Sequence, residues 1–276
     1  AAPVVEQLPD SGRDKLRVIR SCAGIPSWTT DVCAKNGPPR VGYIGTVEEA
    51  KMHRDFLRLC AAADLAEPCI VAGGPSHEAL REQAVQLGVA DRFAILGHVA
   101  DPAPIYRQIH VFAYPLNPRH YGTGEQVLIE AMAAGCVPVV LDNPPERALV
   151  QHDETGLVAR TADEFSRALR FLSEQGSERE RLARAGRRFV LKQCGIDRSV
   201  AAFQALFDEA RRTPKRPHRL VLPAITSVPE GSPCHLFLAS CGEQEERHIA
   251  ITMLSSPVAE EVIPASFRFT TRGSPR

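Results

Sequence analysis

From residue 40 onward, short apolar runs alternate with longer stretches in which apolar residues recur at helical spacing. The runs fall at 40–45, 68–72, 92–96, 111–114, 137–141 and 156–159. Each is nearly continuous in apolar character and bounded by Gly, Pro or Asp, the pattern of strands covered on both faces. Helices are expected between them over 50–64, 76–87, 102–109, 124–134 and 145–150, then in succession over 161–174, 177–193 and 196–210. In the first of these, Met52, Phe56, Leu59, Cys60 and Ala63 share one face, while Lys51, Arg54, Asp55 and Arg58 turn away. Strand–helix alternation of this kind predicts βαβ units and a parallel sheet with right-handed crossovers.

The two ends lack that rhythm. Residues 1–38 are punctuated by Gly12, Gly24, Pro26 and Gly37 and read as a lead-in of loops. Beyond Arg211, Pro214, Pro217, Pro223, Pro229 and Pro233 interrupt any long element, so 211–276 is expected to be an extended tail. Residues 39–210 form the expected domain.

Composition narrows the class. Hydrophobic residues make up 44% of the 276, enough for an ordinary globular core. Lys plus Arg and Asp plus Glu each total 33, so the formal net charge is zero, unlike the basic excess of a nucleic-acid binder. The longest apolar run, 136–141, is far short of the roughly 20 residues that span a bilayer. No basic-then-apolar leader opens the sequence. The 8 cysteines contain no C-x-x-C pair and do not cluster with histidine, which fits a reducing compartment; a cytoplasmic location is expected, with peripheral membrane association allowed.

In an open α/β sheet, ligands gather where βα loops meet helix N-termini. The richest such loop follows Tyr114 and runs from Pro115 to Glu125. Gly122 and Gly124 allow close backbone approach, Thr123 can cap the next helix, and free amides there make a phosphate site. Glu130, inside the apolar stretch 127–132, either holds a polar ligand or joins a structural ion pair; its local sequence leaves both open. Lys51 is expected at the start of the first helix, where it opposes the dipole and points to an anion nearby or stands exposed. No G-x-G-x-x-G follows the first strand, and no P-loop or G-x-S-x-G elbow exists. No D-x-D pair is present to hold a metal against a diphosphate, so metal-free phosphate stabilisation is expected. Arg179, Arg181, Arg184, Arg187 and Arg188 alternate with Glu178 and Glu180 and read as a solvated helix face.

Several blocks, taken in order, resemble the donor-binding half of GT-B glycosyltransferases, specifically the retaining family 4 (group 1) enzymes. They are Val41-Gly-Tyr-Ile-Gly45 with Lys51, Val71-Ala-Gly-Gly-Pro75, Leu96-Gly-His-Val-Ala-Asp101, Tyr114-Pro-Leu with Gly124-Glu-Gln-Val-Leu-Ile-Glu-Ala-Met132, Asn143-Pro-Pro-Glu146 and Glu154-Thr-Gly-Leu-Val158. The resemblance runs from about residue 38 to 210. It implies a Rossmann-like parallel sheet with helices on both faces and a nucleoside-diphosphate sugar as donor. By position, Glu130 corresponds to the second glutamate of the E-x7-E signature, on the ribose hydroxyls, and Lys51 to the lysine at the donor diphosphate. Gly122, Thr123 and Gly124 occupy the turn whose amides face diphosphate and sugar, and Val99 and Ala100 fall at the nucleobase. Gly122 stands where the first signature glutamate belongs, with Glu125 close enough to replace it. Thr46 stands where an arginine is usual, with Arg119 and His120 as candidates for the missing charge.

The expected protein is therefore the donor-binding domain of a metal-independent, retaining glycosyltransferase, with no cofactor and an unidentified saccharide or lipid acceptor. Lys51 and Glu125 are the expected catalytic residues. The acceptor domain is expected to be supplied from outside the 38-residue lead-in. The competing expectation is a non-catalytic nucleotide or sugar-nucleotide binding module; a GT-B epimerase ranks third.

Overall fold

The computed structural model describes residues 16, 17, 19, 25–31, 35, 37–120 and 125–213. Six strands, β1 (Val41–Ile44), β2 (Cys69–Ala72), β3 (Phe93–Gly97), β4 (Val111–Tyr114), β5 (Val137–Leu141) and β6 (Leu157–Ala159), form one sheet in the order β3-β2-β1-β4-β5-β6. Every pairing is parallel, with Gly42 opposite Ile70 and Val111 opposite Val137. The sheet is buried as its apolar runs require: β1, β2 and β4 are enclosed along their whole length. The chain steps outward from β1 to β3, then returns to the other side of β1. The switch point between β1 and β4 is where such sheets open a crevice for ligands.

The helices are α1 (Trp28–Asp31), α2 (Phe56–Ala61), α3 (His77–Gln86), α4 (Ala103–Gln108), α5 (Gln126–Ala133), α6 (Pro144–Arg147), α7 (Ala162–Glu174), α8 (Gly176–Gln193) and α9 (Ile196–Arg212). An aromatic stack fills the centre of the sheet, with Phe112 and Tyr114 rings 5.1 Å apart and Tyr43 5.6 Å from Tyr114. The expected tail overlaps α9 at Arg211 and Arg212; from residue 214 it lies outside the described residues.

One helix is shorter than its hydrophobic spacing predicts. The pattern over 50–64 resolves into a loop to Asp55 and a helix of 6 residues. The loop is drawn away by the segment after β4: His53 N–H donates to Pro115 O (3.0 Å), and Met52 pairs with Leu116 in an antiparallel bridge. Met52 is still only 4% exposed, so the helical spacing was that of buried positions reached partly from a loop. Lys51 consequently stands in a loop and not at a helix start.

The arginine-rich face of α8 is also less solvated than its charge pattern predicts. Arg179 donates to Leu172 O (2.6 Å), and Arg187 donates to the carbonyls of Ala133 and Thr29, tying α8 to the end of α5. Gly186 makes that packing close, because a Cβ there would sit 2.8 Å from Thr155 O and 3.4 Å from Met132 Cε. Gly186→Ala is expected to lower stability by about 1–3 kcal/mol, the usual cost of overpacking, despite the better helix propensity of alanine. Urea denaturation of the two proteins checks this; equal midpoints would show that the helix pair has slack.

Candidate functional site

The carboxyl ends of β1, β2 and β3 are drawn together by glycines. Gly45 N–H donates to Ala72 O (3.0 Å), Gly73 N–H to Gly97 O (2.7 Å) and Val47 N–H to Gly74 O (2.7 Å). Gly73 has φ +144°, and a Cβ on it would fall 1.7 Å from Gly45 O, so only glycine lets the loops meet. Above them lies a cleft of about 560 Å³ lined by Thr46, Lys51, Gly74, His77, His98, Val99 and Val127, among others. Of the residues expected at the donor, Thr46, Lys51 and Val99 line this cleft. Ala100 is exposed beside it and not in its lining.

Lys51 is positioned by backbone pairing of two loops. Asn117 N–H donates to Lys51 O (2.8 Å), and the Asn117 side-chain amide donates to Glu49 O (2.8 Å). The Lys51 side chain is 12% exposed, and its ammonium lies 3.5 Å from Glu125 Oε2. Glu125 occupies the N-cap position of α5 with φ +30°, a left-handed conformation that turns its side chain inward. Its carboxylate is buried, accepts a hydrogen bond from the Tyr114 hydroxyl (2.6 Å), and is absent from the cleft lining. For Glu125 to reach a sugar hydroxyl, its contact with Lys51 must first open.

Two further groups sit behind it. His120 Nδ1 is 3.8 Å from Glu125 Oε1, and its Nε2 is 3.0 Å from Glu146 Oε1. The His120 and Glu146 side chains are 1% and 0% exposed. Neither Glu146 oxygen, nor Glu125 Oε1, has a hydrogen bond of good geometry. Burial pushes Glu146 up to about 7, helped by the Glu125 charge; the Asn143 amide and Lys51 act the other way. Burial lowers His120, with Lys51 adding to the effect and Glu125 opposing it, so the ring favours its neutral form. His120 therefore does not supply a fixed replacement charge, and Arg119 is exposed. His120, Glu125 and Glu146 are of metal-ligating type. The Lys51 ammonium stands beside this group, paired with Glu125.

Glu130 stands elsewhere. It is half-buried one turn beyond Val127 on α5, 3.4 Å from the Tyr106 hydroxyl and 3.3 Å from Gln126 Nε2. Burial raises its pKa, and these two donors partly offset the rise. Its neighbours are neutral donors, with no ion pair to Glu130 among the described residues. Gly122, Thr123 and Gly124 lie outside the described residues. Tyr114 and Glu146 were missed as site residues because each ends or follows an apolar strand and reads locally as core or as a helix-start acid.

The fold and cleft together define a Rossmann-like domain of the kind that forms one half of GT-B glycosyltransferases. Residues 38–175 match the family described as glycosyl transferases group 1, and the chain belongs to that family. It is 38% identical over 157 residues to a GDP-mannose-dependent alpha-(1-6)-phosphatidylinositol monomannoside mannosyltransferase of Mycobacterium tuberculosis, covering 52% of this chain and 40% of that protein. It is 31% identical over 141 residues to a 2-deoxystreptamine N-acetyl-D-glucosaminyltransferase of Streptomyces fradiae, covering 48% and 32%. The aligned segment thus spans less than half the length of either relative. Anabaena HepE in complex with UDP and glucose superimposes with TM-score 0.57 at 17% identity, over 73% of this chain and 58% of that one. A glycosyltransferase from Rickettsia africae gives TM-score 0.59 at 13% identity, over 73% and 59%. No helix among the described residues is long and apolar enough to cross a membrane.

The buried carboxyl of Glu146 makes a prediction about stability. Its pKa in the fold, about 7, lies above that of an unfolded glutamate, about 4.3. The native state therefore binds more protons, and this contribution is complete below about pH 4 and lost as pH rises through about 7. The melting temperature is expected to fall between about pH 5 and about pH 8, and Glu146→Gln, neutral throughout, should remove that part of the fall. Parallel profiles for the two proteins would overturn the assignment.

Proposed function

We propose that this chain is the donor-binding half of a retaining, metal-independent glycosyltransferase that uses a nucleoside-diphosphate hexose. The observation that carries the reading is the sharing of one cleft, at the carboxyl ends of β1 to β3, by Lys51, Thr46 and Val99. The base would lie against Val99 and the neighbouring Ala100, and the ribose hydroxyls would bond to Glu130. The diphosphate would meet Lys51, Thr46 and the amides of Gly122, Thr123 and Gly124. As the bond from anomeric carbon to phosphate oxygen breaks, negative charge grows on the departing diphosphate, and Lys51 with those amides stabilises it. Glu125 orients Lys51 and, once released from it, is the carboxylate nearest in sequence to the position Gly122 leaves empty.

The mannosyltransferase relative supports a GDP-hexose donor, and HepE, solved with UDP and glucose, supports a nucleoside diphosphate and a sugar as ligands. The acceptor, saccharide or lipid, would be held by a separate domain. Four cysteines, Cys60, Cys69, Cys136 and Cys194, are buried as free thiols, in keeping with a cytoplasmic location. A non-catalytic sugar-nucleotide module is the second reading, favoured by the burial of Glu125 behind Lys51; donor hydrolysis or transfer by a chain containing both halves decides between them.

Glu130→Gln is expected to weaken nucleotide binding by roughly 1.5–3 kcal/mol, the range for a charge-assisted hydrogen bond. Lys51→Ala should weaken it as well, with an effect that shrinks as salt screens the Coulomb attraction. Calorimetry on the folded variants tests both; a Glu130→Gln protein that melts earlier yet binds normally would leave Glu130 a purely structural role.

Chelation provides a separate check. With Lys51 as the phosphate cation, affinity for the nucleotide should be the same in EDTA and in added magnesium. A drop of about tenfold in EDTA, or about 1.4 kcal/mol, would mean that a metal neutralises the phosphates.

A further inference from the structure

The polar side chains behind Lys51 do not balance in charge. Lys51 and Glu125 cancel each other across 3.5 Å. Among the described residues, Glu146 is then left fully buried without a lysine or arginine of its own, and Arg147, its neighbour on α6, turns to Asp142 at 3.0 Å. The groups that face Glu146 are His120 from the loop after β4, Glu125 from the start of α5, Tyr114 at the end of β4, Lys51, and Asn143 before α6. Of these, His120 is the one that touches both carboxylates.

We propose that Glu146 is a positioning residue for the donor phosphates, a neutral acid that holds His120 in the tautomer serving Glu125; this rests on the donor-site reading above. With Glu146 protonated, a turn of the carboxyl directs its O–H to His120 Nε2, 3.0 Å away, which leaves the ring proton on Nδ1, facing Glu125 Oε1 at 3.8 Å. When Glu146 releases its proton to solvent, its carboxylate takes an N–H from Nε2 instead. The neutral ring then turns a lone pair toward Glu125, and the group behind Lys51 gains one negative charge. An incoming diphosphate meets that charge. Binding is therefore expected to weaken as pH rises through the range where Glu146 ionises.

Two measurements on the full chain test this. Affinity for GDP-mannose, with UDP-glucose as a second probe, is followed from about pH 6 to about pH 8, where the phosphate diesters themselves do not titrate. The wild-type protein should lose roughly tenfold, the order expected for one added charge within about 10 Å at an effective dielectric constant of about 20. His77 and His98 also line the cleft, so the deciding quantity is the difference in slope from Glu146→Gln. The neutral isostere should flatten the profile and hold the tighter binding at high pH. An identical slope in the two proteins overturns the proposal.

The second measurement needs no nucleotide. Nitrogen-15 spectra of histidine-labelled protein, with His120 identified by comparison with His120→Gln, should show the Nδ1–H tautomer at low pH and a changeover as Glu146 ionises. A His120 ring that keeps one state throughout overturns the coupling, and it does so even where Glu146→Gln fails to fold. If neither sugar nucleotide binds while His120 changes over, the donor reading is the one that fails.

Discussion

The contact between Lys51 and Glu125 is the constraint on which the site depends. It joins the loop after β1 to the start of α5 across the switch point of the sheet, and both charges are largely withdrawn from water. A buried pair of this kind repays its desolvation poorly, but removing one partner strands the other at a cost of about 3–5 kcal/mol. The structure pays that cost down in stages: the Tyr114 hydroxyl bonds to Glu125, the Met52–Leu116 bridge fixes the loop, and Asn117 clasps the backbone at Lys51. Glu125 also holds a left-handed backbone that a glutamate adopts only under outside compulsion. The left-handed backbone and the ion pair thus occur at the same residue, at the start of α5.

The sheet was legible because strands covered on both faces leave a signal in every residue. Val111-Phe-Ala-Tyr114 and Val137-Pro-Val-Val-Leu141 coincide with β4 and β5 residue for residue. The loop carrying Lys51 was not legible, because periodicity records which positions are buried and not the backbone that buries them. Met52 and Phe56 are four apart and both buried, yet only Phe56 is helical. What decided the matter was a partner about sixty residues away in sequence, Leu116, and no local pattern reports such a partner. The cluster of Glu125, His120 and Glu146 was hidden in the same way. Glu146 follows Pro144 and Pro145 at a helix start, where an acid is ordinary, and only the fold reveals that this one is sealed from water.

On the donor-site reading proposed above, the ion pair also governs how Lys51 would meet a phosphate. Among the described residues, Lys51 is the one lysine or arginine in the cleft lining, and it already has an anionic partner. A diphosphate that binds there cannot simply add its attraction to a free cation; it must share the ammonium with Glu125 or displace it. The net gain from Lys51 is therefore smaller than its charge suggests. Neutral donors escape this competition, because a backbone amide at the start of α5 carries no counter-ion that must be released. On the donor reading proposed above, phosphate affinity would rest on the amides as much as on the lysine, with Lys51 adding more as negative charge grows on the leaving diphosphate.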